Sequence, residues 1–118
     1  MNPAEHQAIE DVALLYVTCP DMQVASHIAR TLVEERRVAC ANILGQMRSV
    51  YRWEGQVMEA DEVAMLLKTT RAQEADVIAR VRALHPYENP AILTLPVLGG
   101  AAEFLAWIAQ ETTAEISD

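Results

Sequence analysis

The chain has 118 residues, enough for one domain with one hydrophobic core. Its formal net charge of −8 argues against a nucleic-acid partner and against an anionic membrane surface, because both require a basic face. Apolar residues make up 52% of the chain although only 5% of residues are aromatic, so a small domain carries a surplus of aliphatic side chains and alanine. We expect part of that surplus to be buried against another copy of the chain.

The opening stretch, "MNPAEHQAIEDV", lacks the basic end and the apolar run of a secretory signal, and no apolar stretch in the chain is long enough to span a bilayer. We therefore predict a cytoplasmic protein. Its domain is predicted over residues 12–112, between a disordered tail at 1–11 and a second tail at 113–118. Because cytoplasmic thiols stay reduced, Cys19 and Cys40 are predicted to be buried free thiols.

The first predicted elements are a strand and a helix. The β-rich apolar run "VALLYVTC" predicts a strand over Val12–Cys19, which Pro20 ends. A helix is predicted over residues 21–37, because apolar positions recur there at helical spacing. Asp21 is its predicted N-cap.

The middle of the chain predicts one long β-hairpin. Strand composition returns over residues 38–47 and continues through "RSVYRWEGQV". Glu54 and Gly55 form the predicted turn, and residues 61–70 form the returning strand.

The last part of the chain predicts a helix over residues 71–84, a strand over 90–98 and a third helix over 101–112. Pro86 stops the first of these helices. The first six elements match the split β-α-β, or ferredoxin-like, pattern, in which two helices cover one face of an antiparallel sheet. The predicted fold class is therefore α+β, with a long hairpin arm and an extra C-terminal helix.

The strands predict a sheet that is apolar on both faces. In the first strand Leu14 and Tyr16 point one way, and their apolar neighbours point the other way. Two helices cover one face, and the single extra helix is too small to cover the other. Tyr51 and Trp53 alternate near the hairpin turn, where a monomer would leave them half exposed. We predict a closed homo-oligomer in which the hairpin arm packs on a neighbouring subunit.

The stretch "RALHPYENPAIL" holds an imidazole, a phenol and a carboxylate, and it permits three interpretations. In the first, His85, Cys19 and Glu88 bind copper or zinc, because these metals accept mixed imidazole, thiolate and carboxylate ligands. In another interpretation, the turn is structural: two prolines restrict the backbone, Tyr87 packs under the arm, and His85 and Glu88 satisfy buried polar groups.

Besides metal binding and a structural role, the third interpretation of this stretch is a small-ligand cleft between subunits. Lys68 and His85 would supply positive charge, and Tyr51, Trp53 and Tyr87 would form the walls. An unknown protein partner is the remaining possibility.

Catalysis has little support in the sequence. The chain contains no Gly-x-Ser-x-Gly motif, no P-loop and no Gly-x-Gly-x-x-Gly motif. Acylphosphatases share the predicted fold but need an anion-binding loop with an arginine after the first strand, where this chain has Pro20 and Asp21. A nucleophilic pair of Cys19 and His85 is chemically conceivable. We predict that the protein is not an enzyme.

The motifs taken together resemble the CutA family, the divalent-cation tolerance proteins. They are, in chain order, "TCPD", "VACANI", "SVYRWEG", "EVAMLLKT", "LHPYENPAI" and "LPV" before "FLAWI". The resemblance implies a ferredoxin-like subunit in a tight homotrimer whose long hairpin strands pair across subunits. It also implies a role in tolerance of copper and other divalent metal ions. The family trimer resembles that of the PII signalling proteins, which bind small ligands in clefts between subunits.

The chain departs from the family pattern at the proposed copper ligands. Where some members carry a cysteine and a pair of histidines, this chain has Val17, Leu84 and His85. His85 is the one ligand of that set that the chain retains.

Overall fold

The computed structural model describes residues 11–112, so the predicted tails lie outside the described residues except for Asp11. The strands are β1 (Val12–Cys19), β2 (Cys40–Trp53), β3 (Gln56–Thr70) and β4 (Ile92–Pro96). The helices are α1 (Met22–Glu34), α2 (Glu74–Leu84) and α3 (Ala102–Glu111), and a short 3-10 turn at Arg71–Gln73 precedes α2. Within residues 11–112, no helix is both long and apolar enough to cross a membrane.

The four strands form one antiparallel sheet in the order β2-β3-β1-β4. The helices α1 and α2 cover one face, which is the helix-covered face below. This arrangement confirms the predicted ferredoxin-like α+β fold with an added C-terminal helix.

The core lies between the sheet and the helices α1 and α2. In the sheet, Leu15 is opposite Leu67 and Val17 is opposite Met65, and all four side chains are fully buried. Helical spacing in α1 places its buried apolar residues on the side that faces the sheet. The buried members of this cluster are Leu15, Val17, Cys19, Ala25, Ile28, Leu32, Val38, Val63, Met65, Leu67, Val77 and Val81.

The side chain of Asp21 begins α1 as predicted. Its carboxylate accepts a hydrogen bond from the Val24 N–H at 2.9 Å, which satisfies one of the free donors of the first turn. The second helix starts differently. The hydroxyl of Thr70 makes no capping hydrogen bond, and the 3-10 turn precedes Glu74.

The strands β2 and β3 form a long hairpin arm that ends in a two-residue turn. Trp53 pairs with Gln56, and the turn residues Glu54 and Gly55 have φ angles of 51° and 82°, as a type I′ turn requires. The returning strand starts at Gln56, five residues before the predicted start, because it stays paired with β2 up to the turn. The radius of gyration is 15.5 Å, above the roughly 13 Å of a compact chain of this size, as expected for a projecting arm.

The second face of the sheet, here called the helix-free face, is covered only at one end by α3. There Val12 packs with Leu105 and Ile108. Elsewhere on this face large apolar side chains remain exposed, including Leu93 at 60% and Trp53 at 53%. The structure therefore confirms that the sheet is apolar on both faces.

Candidate functional site

The His-Pro-Tyr turn, residues 85–87, follows the last residue of α2. His85 has extended backbone angles of −83° and 139°, as the residue before a proline prefers, and its N–H donates to the Val81 carbonyl at 2.8 Å. The turn lies against the end of β1, because the His85 ring meets the carbonyl of Thr18.

Both ring nitrogens of His85 are engaged, and the side chain is only 7% exposed. The Nε2 atom lies 2.8 Å from the Thr18 carbonyl oxygen, which can only accept, so Nε2–H is the donor. The Nδ1 atom lies 3.1 Å from the Tyr87 N–H, which can only donate, so Nδ1 is the acceptor. These two bonds fix a single neutral tautomer and leave neither nitrogen free for a metal.

Tyr87 connects the turn to the hairpin arm. Its ring lies 4.8 Å from the His85 ring, and its hydroxyl donates to Glu62 Oε2 at 3.0 Å. Burial, followed by the hydrogen bond to Glu62 and its charge, raises the pKa of Tyr87 to about 12. The hydroxyl therefore remains a donor at neutral pH.

Cys19 is fully buried on the helix-covered face, beside the residue whose carbonyl binds His85. Burial, and then the charges of Asp21 and Glu62, raise the pKa of the Cys19 thiol to about 11. The thiol is therefore protonated at neutral pH, which disfavours it as a metal ligand and as a nucleophile.

The remaining metal candidate, Glu88, is exposed and does not satisfy a buried group. The carboxylate next to Tyr87 is instead Glu62, which is only 9% exposed. Within residues 11–112, no group of three or more His, Cys, Asp or Glu side chains is placed to hold a metal ion. The residues proposed as a copper or zinc site thus do not fit one as they are arranged here.

Within one chain, Lys68 lies apart from the other predicted cleft residues, although the His85 and Tyr87 rings are in contact. Tyr51 is opposite Met58 near the tip of the arm, and Lys68 is ten positions farther along β3 than Met58, or about 33 Å away. Lys68 instead places its ammonium 5.3 Å from the centre of the Phe104 ring, at the end of the sheet that α3 covers. A cleft that joins Lys68 to Tyr51, Trp53 and Tyr87 would need more than one copy of the chain.

Glu62 is the residue that reasoning from the sequence did not identify. Strand alternation in "DEVAMLLKT" places it on the same side as Ala64 and Leu66, so the sequence does contain a signal: one acid on an apolar strand face.

The sequence pattern of the family described as CutA1 divalent ion tolerance protein matches residues 13–111. The chain belongs to the CutA1 family. It is 44% identical over 104 residues to the divalent-cation tolerance protein CutA of Thermus thermophilus, covering 88% of this chain and 99% of that protein.

Solved CutA structures share the fold. The crystal structure of CutA from Xylella fastidiosa matches with a TM-score of 0.84 and 40% identity, over 86% of this chain and 98% of that one. A structure from Archaeoglobus fulgidus, described as the periplasmic divalent cation tolerance protein CutA, matches with a TM-score of 0.83 and 37% identity, over 86% and 98% of the two chains. The predicted family is therefore confirmed, and this is a CutA family protein of divalent-cation tolerance.

Proposed function

We propose that this CutA family protein acts in tolerance of divalent cations as a homotrimer whose subunits meet across the helix-free face. The observation that carries the proposal is the exposure of large apolar side chains on that face. Burying each one contributes about 1.5–3 kcal/mol. Several of them together exceed the roughly 4–15 kcal/mol that association costs in lost translation and rotation.

The edges of the sheet support the same assembly. β2 and β4 are the outer strands, and β2 has 14 residues where β4 has only five. An outer strand carries unpaired N–H and carbonyl groups that a neighbouring strand can bind. Pairing of the long hairpin strands across subunits, as the family resemblance implies, would use these groups.

A matched pair of aspartate substitutions tests the trimer. Leu95, on the helix-free face, is 39% exposed, and Val33, on the outer side of α1, is 41% exposed. We expect wild-type protein and Val33→Asp to sediment at three times the chain mass, and Leu95→Asp to dissociate, because a charge is then buried at the interface. A wild-type monomer at micromolar concentration, or a trimeric Leu95→Asp, would contradict the proposal.

For the metal we infer that the His-Pro-Tyr turn is chiefly a structural junction, and that Cu²⁺ or Zn²⁺ binds to Cys19, His85 and Glu88 only weakly. Binding at His85 requires the loss of a hydrogen bond to Thr18 or to Tyr87. Binding at Cys19 requires loss of the thiol proton, which the raised pKa of Cys19 opposes. The same raised pKa argues against the Cys19–His85 nucleophilic pair, and we propose no catalytic role.

Calorimetric titration with Cu²⁺ and Zn²⁺ tests this inference. We expect no sub-micromolar site in the wild type, and the same weak binding in His85→Ala and Cys19→Ser. His85→Ala should lose about 2 kcal/mol of stability, because the Thr18 carbonyl and the Tyr87 N–H lose their partner. A sub-micromolar site that disappears in either variant would overturn the inference.

A second candidate function is a PII-like sensor that binds a small anionic ligand between subunits. It is favoured by Lys68, which has no carboxylate within 4.0 Å in the described part of the chain. A thermal shift with a nucleotide library that disappears in Lys68→Gln would support the sensor. A protein-docking scaffold is the remaining alternative. The cytoplasmic location stays a prediction from the sequence, which cell fractionation tests.

A further inference from the structure

The helix-free face carries very little charge on its strands. Along β3, the positions that point to this side alternate with Val63, Met65 and Leu67, which face α1 and α2. The strand positions on the helix-free side are these β3 positions and their partners in register on β1, β2 and β4, such as Tyr16, Met47 and Leu93. Among them only Glu62 is acidic and only Lys68 is basic.

Glu62 is a carboxylate in an unusual place. It is 9% exposed, its Oε2 accepts from the Tyr87 hydroxyl, and Met47 is its partner on β2. Within residues 11–112 no lysine, arginine or histidine nitrogen lies within 4.0 Å of it. A carboxylate this far removed from water is stabilised when a cation approaches its free side.

Lys68 is the complementary group. It is half-buried, and its ammonium contacts the face of the Phe104 ring but no carboxylate of the described residues. It follows Glu62 by six positions on the same extended strand, a separation of about 20 Å. The two side chains therefore cannot pair within one subunit.

We propose that Glu62 of each subunit forms an ion pair with Lys68 of the next subunit. This inference rests on the homotrimer proposed above. In a cyclic assembly each interface joins two different surfaces, so one subunit extends Lys68 to one neighbour and receives Lys68 of the other neighbour at Glu62. Three equivalent pairs close the ring. On an otherwise apolar face, each pair fixes the register in which the subunits meet, because a shifted register would bury both charges unpaired.

The surroundings of Glu62 suit an incoming ammonium. The Tyr87 hydroxyl occupies one carboxylate oxygen and holds the carboxylate in place from within the subunit. The Tyr87 ring is 38% exposed in a single chain, and such a ring can cover the methylene stem of a lysine. The site is thus complete only when a second copy contributes its lysine.

Charge exchange tests the pair. We expect Glu62→Lys and Lys68→Glu each to raise the concentration at which half of the protein dissociates by about a hundredfold, because each variant buries like charges together. The double exchange, E62K with K68E, should restore assembly to within about tenfold of the wild type, since opposite charges meet again. Sedimentation measures the assembly, and far-UV circular dichroism shows that each variant is folded.

Controls on the helix layer use the same chemical changes. Glu34→Lys and Arg82→Glu alter exposed residues of α1 and α2 and should leave the trimer intact. If a single exchange prevents folding, Glu62→Gln, Lys68→Gln and the doubly neutral variant give a double-mutant cycle. In that cycle, the free energy of assembly lost in the double variant should be smaller than the sum of the losses in the two single variants.

The possible failures are distinguishable. A monomeric wild type would overturn the homotrimer and the ion pair with it. A trimeric wild type whose two single exchanges assemble normally would overturn the ion pair alone. The ion pair alone would also be overturned if the double exchange assembles no better than the weaker of the two single variants. Strictly additive effects of the neutral substitutions on assembly would have the same meaning.

Discussion

At the scale of single residues, Arg36 occupies a backbone conformation that usually belongs to glycine. Its φ is 62°, and the N–H groups of Arg36 and Arg37 return to the carbonyls of Val33 and Leu32 at the end of α1, as in a Schellman motif. A side chain in this conformation costs roughly 1 kcal/mol relative to glycine. The Arg36 guanidinium also reaches the Gln110 and Glu111 carbonyls at the end of α3, which offsets that cost.

Substitutions at Arg36 separate the two effects. We expect Arg36→Gly to stay within about 1 kcal/mol of wild-type stability, because relief of the backbone balances the lost contact with α3. Arg36→Ala loses the contact and keeps the strain, so it should be less stable than Arg36→Gly by about 1 kcal/mol. Urea unfolding measures both, and hydrogen exchange at the end of α3 should quicken in each. An alanine variant as stable as the glycine variant would contradict this account.

At the scale of elements, Glu35 links the end of α1 to α2. Its carboxylate accepts from Arg80 at 2.8 and 3.0 Å and from Arg37 at 2.8 Å. These hydrogen bonds, Arg80 first, lower the pKa of Glu35 from 4.5 to about 2. The contact lies on the outer surface of the helix layer, so it supplements the apolar packing of the two helices.

The pH dependence of stability follows from this pKa. Because the folded pKa of Glu35 is lower than the unfolded one, its contribution is complete above about pH 4.5 and is lost as the pH falls toward 2. With solvent screening, we expect Glu35→Gln to cost about 1 kcal/mol at pH 7 and only a small fraction of that at pH 2, where about half of the folded molecules carry a protonated Glu35. Urea unfolding at both pH values measures the difference, with Glu34→Gln as the neighbouring control. An equal loss at pH 2 and pH 7 would contradict the assignment.

The order and type of the elements were predictable from periodicity and turn residues, because local rules decide them. Asp21 begins α1 and Gly55 marks the hairpin turn as predicted. The start of β3 at Gln56 was not predictable, since pairing with β2 rather than local composition sets it.

The candidate site was less predictable than the fold. The sequence showed that His85 and Cys19 were present. It did not show that both ring nitrogens of His85 are occupied by hydrogen bonds, because these bonds depend on contacts with β1 and within the turn itself. Glu62, 25 positions from Tyr87, became a candidate only when the sheet brought the two together.

At the scale of the whole molecule, a subunit with this much exposed apolar surface should gain stability from assembly. Because mass action couples folding to association, we expect the melting temperature to rise with protein concentration. Calorimetry over a hundredfold range of concentration measures the rise, and Leu95→Asp serves as a control whose melting temperature should stay constant. A wild type that melts at one temperature throughout that range would count against assembly through the helix-free face.

The incomplete cover of the sheet also bears on the life of the protein in a cell. In the proposed homotrimer, a newly made subunit that has not yet assembled would expose Leu93 and Trp53 to other proteins. Such orphan subunits are natural targets of chaperones and proteases. The steady-state amount of the protein should therefore rise more than proportionally with its rate of synthesis. At weak expression most subunits would be degraded before they assemble, and at strong expression assembly would protect them from degradation.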